Sequence, residues 1–295
     1  MATKTAMITI AGRPNVGKST LTNYLVGEKI AIVSNKPQTT RNRICGIVTK
    51  NDTQFVFVDT PGFHKARTKL GDYMVNVTKN SIADVDLTIM MVEPIASIGP
   101  QEQGLIDQLK ASRCPVVLAI NKIDSVEKDI LLEVIATYSN AADFAAIIPI
   151  SAKTGDGIDS LLQICENYAI DSPFLFPEDS TTDQPERQVM AEIIREKLLW
   201  TLDREVPHGT AVEITKFSER DNGIIDIDAT IYCEKASHKG IIIGKQGAML
   251  KKISSMARTD CEKFMGTRVY LTTWVKVKEN WRDSDFLVRN FGYRE

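Results

Sequence analysis

Residues 12–19 read Gly-Arg-Pro-Asn-Val-Gly-Lys-Ser, and this octapeptide constrains the fold more than any other stretch of the chain. An apolar run at 6–11 precedes it, as a buried strand would, and Leu21, Leu25 and Val26 follow at the spacing of one helix face. Strand, glycine loop and helix in this order form the setting of a phosphate-binding loop. The order predicts an α/β domain with a mostly parallel sheet flanked by helices.

The chemistry of this loop indicates that it holds a nucleoside triphosphate. Gly12 and Gly17 allow a close backbone approach, so N–H groups and the positive end of the next helix converge on phosphate oxygens. Lys18 supplies a cation for the β- and γ-phosphates, and the Ser19 hydroxyl is placed to ligate Mg²⁺. The residues expected to bind the nucleotide here are Gly12, Arg13, Pro14, Asn15, Val16, Gly17, Lys18, Ser19 and Thr20.

A second motif, Asn121-Lys122-Ile123-Asp124, indicates that the base is guanine. It follows the apolar run 116–120, and ligands of open α/β sheets bind beyond the carboxyl ends of the strands. The Asp124 carboxylate can accept hydrogen bonds from N1–H and the N2 amino group of guanine, a donor pair that adenine lacks. Asn121 can reach N7, and Lys122 can lie along the ring or the phosphate loop.

Two further segments follow predicted strands in the same way. Asp59-Thr60-Pro61-Gly62 follows the run 55–58, so we expect Asp59 to hold Mg²⁺ through water and the Gly62 amide to contact the γ-phosphate. Ser151-Ala152-Lys153 follows the run 146–150, and we expect it to place backbone amides near the guanine O6. Each segment is uninformative alone, and the order of all four motifs carries the prediction.

In this order the motifs resemble those of the translation-factor-related GTPases, a subclass of the P-loop NTPases, over residues 1 to about 170. The resemblance implies a threonine that coordinates Mg²⁺ in the triphosphate state, and the candidates are Thr39 and Thr40. We choose Thr40, because related GTPases carry threonine directly before arginine here. The expected metal ligands are therefore Ser19, Thr40 and Asp59.

The catalytic machinery departs from the Ras-type pattern. There a glutamine directly follows Asp-x-x-Gly, whereas Phe63 stands at that position here. Phenylalanine cannot polarise water, so we expect slow basal turnover. Asn15 has two interpretations: it fits the turn, or it helps to bind K⁺ beside the phosphates, as in related GTPases with asparagine here. The residues expected to act on the reaction itself are Lys18, Thr40 and, as a K⁺ site, Asn15.

Length and composition set further limits. A chain of 295 residues suits two domains, and 43% hydrophobic with 25% charged residues is typical of a soluble globular protein. The five cysteines are scattered without a C-x-x-C pair, which is typical of reduced thiols in the cytoplasm. The first predicted strand begins without a signal sequence, and no apolar run is long enough to span a bilayer, so we expect cytoplasmic localisation.

A break in the pattern falls at residues 171–185. Three prolines with acidic and hydroxyl residues end the helix predicted at 158–169 and read as a linker. We expect Phe174, Leu175 and Phe176 to pin this linker to one domain. The predicted organisation is a GTPase domain at 1–172, a linker at 173–185 and a second domain at 186–295.

The second domain reads as helix, two strands, helix, glycine loop, helix and strand, with a short final helix at 281–290. This order resembles the α+β KH domain of type II topology, whose G-x-x-G loop would be Gly244–Gly247. The resemblance implies that single-stranded RNA lies along this loop with its bases in an apolar groove. The implied RNA-binding residues are Gly240, Ile243, Gly244, Lys245, Gln246, Gly247, Lys251 and Lys252.

Charge also indicates a polyanionic partner for this domain. Residues 235–282 hold eleven lysines or arginines and three acidic residues, a net of +8, while the whole chain carries −2. The remaining residues therefore sum to −10. A basic segment on an acidic protein is typical of nucleic-acid binding.

A GTPase domain followed directly by a KH domain resembles the bacterial ribosome-assembly GTPases over essentially the whole chain. The resemblance implies a GTP-hydrolysing switch that binds the 3′ end of small-subunit ribosomal RNA and assists maturation of the small subunit. It further implies loose association with the inner membrane surface, and we expect a monomer. The alternative is an RNA-modification or membrane-linked GTPase that its KH domain recruits to another RNA. We prefer the first, since the second domain offers no nucleophile, metal cluster or cofactor loop for modification chemistry.

We predict that K⁺ stimulates GTP hydrolysis by this chain. A potassium ion held with the help of Asn15 would add positive charge where an arginine finger acts in other GTPases. The measurement is the hydrolysis rate in matched Na⁺ and K⁺ buffers. Equal rates in the two buffers would contradict the prediction.

Overall fold

The computed structural model describes residues 3–62, 68–83, 85–112 and 114–293. Contacts divide these residues into two compact units that are not contiguous in sequence. The first unit consists of residues 3–31, 40–62 and 74–183, apart from the gaps just given. The second consists of residues 184–293 together with two short segments, 32–39 and 68–73.

The first unit is built on one mixed sheet. Its spatial order is β2-β3-β1-β4-β5-β6, with β7 paired antiparallel to β1. All other neighbours are parallel except β2, which is antiparallel to β3. The strands are β1 (Lys4–Gly12), β2 (Ile44–Lys50), β3 (Thr53–Asp59), β4 (Leu87–Val92), β5 (Val116–Ile120), β6 (Ala146–Pro149) and β7 (Ile170–Asp171).

Helices cover both faces of this sheet. On β4, Ile89 belongs to one buried cluster and its neighbour Met90 to another, because successive side chains of a strand point to opposite faces. The first cluster includes residues of α1 and α5, and the second includes residues of α3 and α4. Burial on both faces explains the continuous apolar runs of the central strands. The helices are α1 (Lys18–Val26), α2 (Lys69–Ala83), α3 (Pro100–Ser112), α4 (Lys128–Ser139) and α5 (Ile158–Glu166).

This sheet confirms the predicted α/β class and positions the motifs. The phosphate loop follows β1, Asp59 ends β3, and the segments at 121–124 and 151–153 follow β5 and β6. Since these strands run parallel, their carboxyl ends meet at one edge of the sheet. Four motifs that are far apart in sequence therefore lie together.

Residues 173–183 lie along the first unit. The buried Gln54 side chain accepts hydrogen bonds from the Leu175 and Phe176 amides at 2.9 and 3.0 Å and donates to the Phe176 carbonyl at 3.0 Å. Further on, the Ile47 amide donates to the Thr181 carbonyl at 2.9 Å, so the chain continues the sheet beyond β2. The end of the GTPase domain at residue 172 and the start of the second domain at residue 186 stay predictions.

The second unit pairs a three-stranded sheet with helices on one side, in the order predicted for a type II KH domain. The sheet order is β10-β9-β8, with β10 parallel and β8 antiparallel to the central strand. One buried cluster joins the strands to α6, α7 and α8. The elements are α6 (Glu186–Thr201), β8 (Ala211–Glu219), β9 (Ile225–Cys233), α7 (Ala236–Ile243), α8 (Ala248–Met265), β10 (Val269–Val277) and α9 (Asp285–Asn290).

The end of the described chain differs from the single helix predicted at 281–290. A 3₁₀ turn at Trp281–Asp283 comes first, and α9 begins after Ser284, whose hydroxyl accepts a hydrogen bond from the Leu287 amide. This cap provides a helix start that side-chain periodicity did not reveal. Throughout the described ranges, no helix combines the length and the apolar character needed to cross a membrane.

Candidate functional site

The phosphate loop requires glycine at positions 12 and 17. Gly17 has φ +106°, and a Cβ atom there would lie 2.2 Å from Asn121 Nδ2. At Gly12, with φ +156°, a Cβ atom would lie 2.6 Å from the Met91 carbonyl oxygen. Neither distance is compatible with a side chain, so the loop keeps its backbone close to the neighbouring strand and turn.

Lys18 is buried and folded over this loop. Its Nζ donates hydrogen bonds to the Gly12 carbonyl at 3.1 Å and to the Arg13 carbonyl at 2.9 Å. Burial lowers the pKa of Lys18 to about 8, and the nearby Asp59 carboxylate partly opposes that shift. The ammonium is therefore held at the loop, where a polyphosphate would give it the charged partner that burial demands.

Three oxygen-bearing side chains, those of Ser19, Thr40 and Asp59, converge next to Lys18. Ser19 Oγ donates to Asp59 Oδ2 at 2.6 Å and lies 2.8 Å from Thr40 Oγ1. Asp59 Oδ1 is buried and has no hydrogen-bond partner among the described residues. Burial raises the pKa of Asp59 to about 6, against the opposing effects of Lys18 and the Ser19 hydroxyl. A cluster of two hydroxyls and a carboxylate with an orphaned oxygen fits the hard-cation chemistry of Mg²⁺.

The two threonines at 39 and 40 have different surroundings. Thr40 is buried within the oxygen cluster, whereas the Thr39 hydroxyl donates to the Lys36 carbonyl at 2.6 Å. Thr39 also groups with the second unit, and Thr40 with the first. The geometry therefore places Thr40, the residue chosen from the sequence, beside Ser19 and Asp59.

The turn at residues 121–124, called here the base-recognition turn after its predicted role, is bonded to the phosphate loop by the side-chain amide of Asn121. Asn121 Nδ2 donates to the Val16 carbonyl at 2.7 Å, and Asn121 Oδ1 accepts from the Ala152 amide at 2.9 Å. Ser151 Oγ donates to Asp124 Oδ1 at 2.8 Å, which orients an otherwise exposed carboxylate. Three of the four loops that were expected to bind the nucleotide are thus bonded to one another.

The remaining predicted residues border the same edge. Thr60 is buried and donates to the Ile10 carbonyl at 3.0 Å, and the Pro61 carbonyl accepts from Thr78 at 3.0 Å. A Cβ atom on Gly62 would lie 2.7 Å from the Pro14 nitrogen, so this segment approaches the phosphate loop closely. Asn15 and Lys153 are exposed at the edge, while Lys122 and Thr20 are partly exposed, and Phe63 lies outside the described residues.

Sequence reasoning missed two acidic residues at this site, Glu93 and Glu102. Glu93 Oε2 lies 3.1 Å from Arg13 Nη2, and its other oxygen pairs with Lys122. Glu102 Oε1 lies 2.5 Å from Arg13 Nε. Glu93 directly follows β4, just as the recognised motifs follow their strands, and that position was an available signal. Glu102 lies on α3 and has no such signal.

The G-x-x-G loop of the second unit joins α7 to α8. Gly244 has φ +71°, and a Cβ atom there would lie 2.7 Å from the Met249 Cβ atom. Gly247 has φ +80° with open space around it, and Gln246 has φ 50°. The left-handed backbone turns the chain sharply between two helices and brings the loop amides to the start of α8.

The predicted RNA-binding side chains lie at the surface around this loop. Lys245, Gln246, Lys251 and Lys252 are exposed, as is Gly240, and Ile243 is partly buried. Ile241 of α7 keeps 51% of its surface exposed. Exposed lysines beside an accessible apolar side chain are the combination of surface groups that single-stranded RNA binding requires.

Comparison with known protein families gives one match in each of the two units. The family model described as 50S ribosome-binding GTPase matches residues 7–122, and the KH domain model matches residues 205–282. The chain is 54% identical to GTPase Era of Ruminiclostridium cellulolyticum, covering 100% of this chain and 99% of that one. It is 49% identical to GTPase Era of Clostridium perfringens (strain ATCC 13124), with 99% of each chain covered.

Two solved structures match the entire fold. Era in complex with MgGDPNP and nucleotides 1506–1542 of 16S ribosomal RNA has a TM-score of 0.94 at 36% identity, covering 99% of this chain and 100% of that one. A tyrosine-to-alanine variant of Aquifex aeolicus Era bound to GDP–AlF4⁻ has a TM-score of 0.94 at 37% identity, with the same coverage. The fold and its sites define a P-loop GTPase that carries a KH domain. More narrowly, the chain belongs to the GTPase Era family.

We predict that Asp59→Asn stabilises the nucleotide-free protein while abolishing Mg²⁺-dependent GTP binding. The raised pKa of Asp59 means that its charge opposes folding, so the free energy of unfolding falls as the pH rises from about 4 to 6. The neutral variant should therefore be more stable at pH 7 by about 1–3 kcal/mol, and this difference should vanish near pH 4. Denaturant unfolding at both pH values measures it, and equal stabilities at pH 7 would contradict it.

Proposed function

We propose that this chain is a GTP-hydrolysing switch that binds the 3′ end of small-subunit ribosomal RNA and assists maturation of the small subunit. The observation that carries the proposal is that an assembled guanine-nucleotide site and a complete G-x-x-G loop occur in one chain. The solved Era complex with a 16S fragment, which matches over the whole chain, supports this choice of RNA. The alternative of an RNA-modification or membrane-linked GTPase is not favoured.

In the nucleotide site, each residue has a defined task. Lys18 donates to the β- and γ-phosphate oxygens in place of its bonds to the loop carbonyls. Asp124 accepts from the guanine edge, and Ser151 keeps its carboxylate oriented. Ser19, Thr40 and Asp59 hold Mg²⁺, which neutralises charge on the phosphates when bound. Because Phe63 replaces the glutamine of Ras-type enzymes, we propose slow basal turnover, with K⁺ beside Asn15 as an added source of positive charge.

In the second unit, we propose that RNA lies along the G-x-x-G loop. The positive φ of Gly244 and the open space around Gly247 leave the loop backbone accessible to phosphates. Lys251 and Lys252 then neutralise phosphates along α8, and the exposed face of Ile241 contacts a base. We also propose that the protein acts as a cytoplasmic monomer. The basic segment 235–282 supports peripheral contact with the anionic inner membrane surface.

The expected cellular target is the small-subunit ribosomal RNA near its 3′ end. Crosslinking in cells, followed by mapping of the bound sites, should recover that region. Lys251→Glu with Lys252→Glu should reduce the signal, weaken RNA binding about tenfold or more and lower its salt slope by about 1 per lysine, because each side chain contacts a phosphate. Affinity for GDP should stay unchanged, since these lysines lie in the other unit.

The matched control makes the same charge change with exposed lysines of the first unit, Lys50→Glu with Lys128→Glu. This variant should keep the crosslinking pattern. Predominant crosslinks to transfer RNA would overturn the proposed target, and an equal loss in both variants would contradict the proposed RNA surface.

Coupling between GTP and RNA is proposed to run through residues 32–39. Glu196 of α6 accepts a hydrogen bond from the Val33 amide at 2.9 Å, and Trp200 Nε1 donates to the Val33 carbonyl at 2.8 Å. Arg195 of the same helix donates to the Thr39 carbonyl. The next residue, Thr40, belongs to the oxygen cluster of the first unit, with Ser19 and Asp59. A triphosphate that repositions Thr40 therefore pulls on a segment that the KH unit holds.

We predict that Trp200→Phe weakens this coupling. The substitution removes the hydrogen bond to the Val33 carbonyl while keeping an aromatic ring beside Lys197. The ratio of RNA affinities in the GDPNP and GDP states should move toward one, and by linkage the effect of RNA on GTP affinity should shrink equally. The control, Trp274→Phe on β10, should change both affinities alike. An unchanged ratio in Trp200→Phe would contradict the proposed route.

A further inference from the structure

Four charged side chains form a continuous chain across the nucleotide edge of the first unit. Arg13 of the phosphate loop pairs with Glu93 at 3.1 Å and with Glu102 at 2.5 Å. The second oxygen of Glu93 pairs with Lys122 of the base-recognition turn. Charges of alternating sign therefore run from α3 through the phosphate loop and the end of β4 to the turn after β5.

The Glu102 end of this charge chain is buried. Glu102 is 5% exposed, and its Oε2 atom has no hydrogen-bond partner among the described residues. A Cβ atom on Gly99 would lie 2.8 Å from that oxygen, so backbone closes the space around it. The neighbouring Tyr138 is fully buried, and burial together with the Glu102 charge raises the pKa of Tyr138 to about 12. A carboxylate in such surroundings holds the Arg13 guanidinium firmly, because losing this cation would leave a buried charge uncompensated.

The charge chain is separate from the amide link of Asn121. Asn121 bonds the Val16 carbonyl and the Ala152 amide and so fixes the backbone of the three loops. The charge chain instead fixes two side chains, those of Arg13 and Lys122. Lys122 is 40% exposed, and without Glu93 its long side chain would have to be ordered when the nucleotide binds.

We propose that Glu93 and Glu102 are positioning residues for guanine-nucleotide binding. Glu102 fixes the Arg13 guanidinium, and Glu93 joins that guanidinium to the Lys122 ammonium. The phosphate loop and the base-recognition turn are thereby held in register before the nucleotide arrives. A change at Arg13 is then felt at Lys122 through Glu93, although the two cations repel each other and share no direct bond.

The test is a cycle of substitutions read out by the dissociation rate of fluorescently labelled GDP. Arg13→Gln, Lys122→Gln and the double variant are compared in the presence of Glu93 and again in the Glu93→Gln background. With Glu93 present, the effect of the double variant on the dissociation rate should differ by about threefold or more from the product of the two single effects. With Glu93→Gln, the effects should multiply independently. Glu93→Gln and Glu102→Gln alone should each accelerate dissociation by about three- to tenfold.

Asp107→Asn provides the matched control, because it removes one acidic charge from an exposed position of the same helix as Glu102. Its dissociation rate should equal that of the unmodified protein. Multiplicative effects in both backgrounds would overturn the proposal, since a merely structural role changes rates without changing their coupling. If Glu102→Gln fails to fold, the Glu93 cycle still decides, because Glu93 is 26% exposed. Failure of the unmodified protein to bind labelled GDP would instead contradict the nucleotide-binding function itself.

Discussion

The rest of the nucleotide site depends on the side-chain amide of Asn121. Its nitrogen donates to the Val16 carbonyl and its oxygen accepts from the Ala152 amide, so one residue bonds loops that follow β1 and β6. Asparagine suits this position because it offers a donor and an acceptor on one short, rigid group. Gly17 is the matching constraint, since any side chain there would collide with this amide. The parallel sheet makes the arrangement possible by delivering the carboxyl ends of its strands to one edge.

The site is assembled at a cost to the stability of the free protein. Burial moves the pKa of Lys18 down and that of Asp59 up, so both charges are held where water cannot solvate them. Asp59 also keeps an oxygen without a hydrogen-bond partner among the described residues. Bound phosphates and Mg²⁺ would compensate these buried charges. The resulting site favours a charged ligand over water.

A second constraint acts on residues 32–40, where neighbouring residues of the chain belong to different contact-defined units. Residues 32–39 group with the KH unit through hydrogen bonds with α6, while Thr40 belongs to the oxygen cluster it forms with Ser19 and Asp59. Arg195, Glu196 and Lys197 of α6 are all buried, an unusual run of charges for the interior of a helix. Two of these residues satisfy the backbone of 32–39, which gives a physical reason for burying them. The segment that leads to Thr40 is therefore held within the second unit.

The sequence by itself determined the two folds, the four nucleotide motifs and the G-x-x-G loop. These features depend on residues a few positions apart, such as Gly12, Gly17 and Lys18, whose spacing sets their geometry within one turn. Only the tertiary structure revealed the edge strand β2, the Glu93 and Glu102 pairs with Arg13, and the packing of 32–39 on α6. It also separated Thr39 from Thr40. The physical reason is that these interactions join residues far apart in the sequence, 163 positions for the bond from the Val33 amide to Glu196, and a charged side chain gives no sign of its partner until the chain has folded.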